Sequence, residues 1–113
     1  MVISTVSTML RIKKGVRIPP ASAYATIVSV AESVYRDHGY DCIITSGIEG
    51  DHGHSSEHFK GDAADFRIRH LDEGDEQIIK HDLTEALGFD FDVVLEDTHI
   101  HVEYDPKVPI NRG

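Results

Sequence analysis

The chain has 113 residues, a formal net charge of −9 with histidines neutral, and a single cysteine. This length suits one domain over residues 1–113 and leaves no room for two independent cores. The acidic balance argues against a nucleic-acid partner, whose phosphates must be neutralised by Lys and Arg. One cysteine also excludes a disulfide framework and a Cys-based zinc knuckle, so any metal must be held by His and carboxylates.

Arg11, Lys13 and Lys14 are too thinly spread along the chain for a membrane-binding basic patch. No stretch approaches the length of a membrane span. Met1 to Leu10 lacks a basic start, a long apolar run and a small-residue cleavage site. The expectation is a chain made in the cytoplasm without a signal peptide, with no membrane partner.

In chain order, Leu10 to Ile18 reads as a short extended segment closed by Pro19-Pro20. Ala23, Ile27, Val30, Ala31 and Val34 recur at three- and four-residue steps, which predicts a core helix over Ala21 to Asp37, stopped by Gly39. Asp41 to Ser46 is short and β-branched, a strand in which Cys42 is a buried small residue. Ile48 to Lys60 is a loop of Gly, Ser, His and acidic residues without periodicity, a place for function on a scaffold.

Asp62 to Arg69 alternates, with Ala64, Phe66 and Ile68 on one side and Ala63, Asp65, Arg67 and Arg69 on the other. A polar turn leads to a second helix over Asp75 to Leu87, stopped by Gly88, with the acidic run Asp72, Glu73, Asp75 and Glu76 capping it. His38, His70 and His81 fall near helix ends or turns and read as solvated.

The chain then reads as two strands, Phe91 to Glu96 and His99 to Tyr104, joined by Asp97-Thr98. A tight hairpin there pairs Glu96 with His99. Alternation puts Phe91, Val93, Leu95, Ile100, Val102 and Tyr104 on one face and Glu96, His99 and His101 on the other. A face with two imidazoles and a carboxylate is weak evidence for metal by itself. His58, at the end of the loop, and Asp65, on the outward face of the next strand, strengthen it. Three ligands of His, carboxylate and His type with an open fourth position match a catalytic zinc site, at which a nearby carboxylate can take a proton from water.

At these residues the chain resembles the zinc peptidases that include D-alanyl-D-alanine carboxypeptidases and phage cell-wall endopeptidases, whose fold is shared by the hedgehog signalling domain. Ser56-Glu57-His58-Phe59-Lys60-Gly61-Asp62-Ala63-Ala64-Asp65 fits S-x-H-x-x-G-x-A-x-D at every fixed position. Glu96-Asp97-Thr98-His99-Ile100-His101 resembles the second motif, an acid before an H-x-H pair. The resemblance implies an α+β fold: a small antiparallel sheet with two main helices packed on one face and a zinc site on the other.

It further implies that His58, Asp65 and His101 are the metal ligands, Glu96 the general base and His99 an accessory group, with His99 the alternative third ligand. Ser56 would contact substrate or serve only its own loop. One departure stands out: Ser46-Gly47-Ile48-Glu49 has Glu49 where many of these peptidases carry an arginine. Glu49 and the loop around His54 resemble the hedgehog-like branch instead.

Two functions therefore stay open. The first is a zinc-dependent carboxypeptidase or endopeptidase acting on the stem peptide of bacterial peptidoglycan, a hydrolase of phage origin reaching the cell wall after lysis or release. The second is a non-catalytic, zinc-stabilised binding module.

Overall fold

The computed structural model describes residues 8–16, 22–46 and 62–106. Its first strand, β1 (Leu10–Ile12), is followed by helix α1 (Ser22–Asp37), then β2 (Cys42–Ser46) and β3 (Ala63–Arg67). Helix α2 (Asp75–Leu87) precedes the hairpin β4 (Phe91–Leu95) and β5 (His99–Tyr104). The expected helices and strands are all present, with ends displaced by a few residues at most, apart from the first segment, of whose described residues, 10–16, Leu10–Ile12 form the strand.

Helix α1 forms because its apolar residues return to one side every three or four positions, burying Tyr24, Ile27, Ala31, Val34 and Tyr35. It ends where Gly39 adopts φ 82°, a conformation that an L side chain resists. The Tyr40 N–H then closes back on the Tyr35 carbonyl at 3.0 Å. Helix α2 buries Ile79 and Leu83. Its N-cap is Gly74 rather than a member of the acidic run, but Asp75 and Glu76 occupy the first turn, where carboxylates favour the helix dipole.

The five strands lie in the order β1-β2-β3-β5-β4. Every neighbouring pair is antiparallel except β1 and β2, which run parallel. The sheet is therefore mixed, a correction to the expected antiparallel one. The reason is local: α1 lies between β1 and β2, and a helix-length crossover returns the chain in the same direction. Asp41 fixes this edge, accepting from the Met9 N–H at 3.0 Å and pairing with the Arg11 guanidinium at 2.9 Å.

One face of the sheet carries Cys42, Ile44, Ala64, Phe66, Ile100 and Val102 into a core shared with both helices. Phe66 and Tyr35 meet at 6.3 Å between ring centroids, and the Tyr35 hydroxyl donates to the Arg67 carbonyl at 2.8 Å. Burial pushes the Cys42 thiol far above its usual range, so it is an inert core residue as expected.

Two histidines depart from the solvated reading. His38 pairs with Asp82 at 2.7 Å, tying the end of α1 to α2. His70 contacts the Asp41 carbonyl at 2.8 Å and stacks on Tyr35 at 6.1 Å. His81 is exposed. Among the described residues, no helix is long and apolar enough to cross a membrane.

Candidate metal centre and the groove beside it

Among the described residues neither helix covers the opposite face of the sheet, and the register of β3, β5 and β4 decides what meets there. Asp65 is the cross-strand partner of His101, and Arg67 of His99. The hairpin turns as the sequence predicts: Leu95 pairs with Ile100, and the Glu96 N–H donates to the His99 carbonyl at 2.8 Å. Phe91, Val93 and Leu95 then face the core together with Ile100 and Val102.

Asp65 is the focus of this face, with its side chain only 15 % exposed. His101 Nδ1 donates to Asp65 Oδ1 at 2.8 Å, while His101 Nε2 donates to Glu103 Oε1 at 2.8 Å. The bond to Asp65, opposed by partial burial and reinforced by Glu103, pushes the imidazole up to about 9. Without metal the ring is therefore a cation at neutral pH, held between two carboxylates, and a metal at Nδ1 would have to displace its proton. His99 Nε2 lies 3.7 Å from the same Asp65 oxygen, and His99 Nδ1 lies 3.0 Å from the Thr98 hydroxyl.

The described donors fit zinc in part. Two donors on one tetrahedral zinc are about 3.3 Å apart, given Zn–N and Zn–O bonds of about 2.0 Å. The 3.7 Å separation of His99 and Asp65 is near that value, and the 2.8 Å contact of His101 with Asp65 is shorter, a hydrogen bond. A carboxylate on the far nitrogen of a metal-binding histidine fixes its ring, and Glu103 has that position on His101. Asp65 and the two imidazoles do not close into one tight cluster. Among the described residues, the group of three donors mutually within 4.8 Å is Asp92, Glu103 and Asp105.

The other expected site residues are distributed unevenly. Glu96 is exposed at the corner of the hairpin, on the face that carries His99 and His101. Ser56 and His58 lie outside the described residues, as do Glu49 and His54.

Some site residues were not legible in advance. Glu103 has a simple signal that went unread: it follows His101 by two positions and so shares its face. A second feature arises from an irregularity between β2 and β3. Ile44 pairs with Phe66, but Ser46 pairs with Asp65, so β2 holds one more residue than β3 between these pairs, a β-bulge. Thr45 and Ser46 both come to line a groove of about 900 Å³ on the open face. Ile12, Ile43 and Thr98 also line it, and four cations, Arg11, Lys13, Arg67 and Arg69, gather along it from two distant stretches of sequence, together with Asp65 and His99.

Compared with protein-family models, with curated proteins and with solved structures, the chain finds no match in any of the three.

Proposed function

We propose that the chain is a zinc-dependent peptidase of the carboxypeptidase or endopeptidase kind, acting on a short peptide such as the stem peptide of peptidoglycan. The observation that supports this best is the convergence of Asp65, His99 and His101 on the open face, with Asp65 in contact with His101 and 3.7 Å from His99. These residues come from the two motifs that resemble zinc peptidases, and they are brought side by side by the β3–β5 ladder.

In this reading His58, Asp65 and His101 hold the metal. Zinc would supply Lewis acidity, lowering the pKa of a water and polarising a carbonyl. Glu96 takes the proton from water and returns it to the leaving amine. His99, its ring held by Thr98, donates a hydrogen bond to the developing oxyanion. Glu103 is a positioning residue that orients His101.

The exposure of Glu96 favours a second reading, because an exposed base at a hairpin corner does not exclude water from its site. That reading is a zinc-stabilised binding module without hydrolysis. One experiment separates the two: Glu96→Ala, with bound zinc measured by mass spectrometry and peptidoglycan digestion by release of soluble peptides. The peptidase reading expects zinc retained and digestion lowered by about 10²–10⁴-fold, the usual contribution of a positioned base. Digestion equal to that of the unsubstituted protein removes Glu96 as the base. Zinc binding with no digestion even by the unsubstituted protein establishes the binding module.

A further inference from the structure

The chain carries 11 Lys and Arg against 20 Asp and Glu, yet four of those cations line one groove. Scattered cations in an acidic protein are expected beside carboxylates, as Arg36 is beside Glu32 at 2.6 Å. In the groove Arg11 is so paired, with Asp41 at 2.9 Å. Lys13, Arg67 and Arg69 are exposed and make no ion pair among the described residues. Arg67 ends β3 and Arg69 lies in the turn that follows it, where the Leu71 N–H donates to the Ile68 carbonyl at 3.0 Å, and both line the groove.

Like charges held together repel, and an anion that lies between them relieves that repulsion. Guanidinium groups add bidentate geometry for a carboxylate. The Ser46 hydroxyl can donate to or accept from a peptide backbone, and the Thr45 hydroxyl, which donates to the Asp65 carbonyl at 3.4 Å, can still accept. We infer that this groove binds a short acidic peptide segment, with side-chain carboxylates held by Arg67, Arg69 and Lys13 and the main chain running over Thr45 and Ser46.

The extent of the cationic strip selects the ligand. A long polyanion would run from it across the same sheet face onto Asp92, Glu103 and Glu96, where it would be repelled. A segment with two or three carboxylates ends before that. Arg67 is the register partner of His99, so a carboxylate held there lies beside the proposed metal centre. Binding itself needs neither metal nor hydrolysis, which keeps this inference separate from the peptidase reading.

The test uses the full chain, treated with chelator and titrated while amide chemical shifts are followed by NMR. Three probes are compared: a tetrapeptide with two glutamates and both ends blocked, its glutamine counterpart with both ends blocked, and inorganic phosphate. The glutamate peptide is expected to shift the amides of Lys13, Ser46 and Arg67 and to bind at least tenfold more tightly than the other two. Its affinity should fall at least tenfold in the Arg67→Gln/Arg69→Gln variant, whose spectrum reports whether the fold is kept, and should be unchanged in Lys80→Gln on α2. Equal binding of the glutamine peptide, phosphate binding as tight as the glutamate peptide, or undiminished binding by the folded double variant would each overturn the inference.

Discussion

The two faces of this sheet are built from alternate residues of the same strands and do opposite things. On β3, Ala64 and Phe66 are buried in the core, while Asp65 and Arg67 between and beside them meet His101 and His99 on the open side. The core face is held by contacts that have no partner outside the protein. The other face gathers charged side chains, Asp65, Arg67, His99 and His101, and it is there that the proposed ligands would bind. A strand thus divides stability from binding at the level of single residues, because its period is two.

That division predicts which measurements each substitution moves. Phe66→Ala should cost about 3–5 kcal/mol of stability in urea denaturation, since a buried aromatic ring leaves a cavity. Zinc stoichiometry of the folded protein should stay the same. Loss of zinc from a folded Phe66→Ala protein would break the separation of the faces.

Asp65→Ala is the converse. Zinc affinity should fall by more than about 100-fold, above the range for losing a supporting group. The urea midpoint of the metal-free protein should move much less than for Phe66→Ala. Glu103→Gln sharpens the same point with a smaller effect, a loss of about 10–100-fold in zinc affinity through the orientation of His101. Unchanged affinity would remove Glu103 from the site.

The smallest effect is expected at Cys42, and it depends on pH. Burial raises the thiol above its value in the unfolded chain, about 8.5. The native state therefore keeps the proton while the unfolded state releases it. The stability linked to Cys42 is complete below pH of about 8.5 and is lost as pH rises above it. Cys42→Val, close in volume, should flatten this alkaline decline while changing neutral stability by under about 1.5 kcal/mol. A native thiol that reacts readily with a thiol reagent at pH of about 8 would contradict the burial argument.

Much of this arrangement was legible from sequence because it depends on local periodicity. The three- and four-residue steps of α1, the glycine stops and the alternation around Asp65 each report one element without knowledge of its neighbours. The hairpin register was legible too, since two linking residues allow few pairings. What could not be read depends on how distant segments meet. Nothing local shows that Leu10–Ile12 would add to β2 in parallel, or that Arg11 and Lys13 would lie near Arg67 and Arg69. His70 departs from the solvated expectation for the same reason: its neighbours in sequence are polar, but its ring stacks on Tyr35 from α1.

The bulge between Ile44 and Ser46 has an evolutionary consequence. A strand with strict alternation can change its outward residues only by substitution, because gain or loss of one position inverts everything beyond it. At the bulge the extra residue is absorbed locally, with Ile44 still opposite Phe66. The floor of the groove can therefore be altered by inserting or deleting a single codon while the core keeps its pattern.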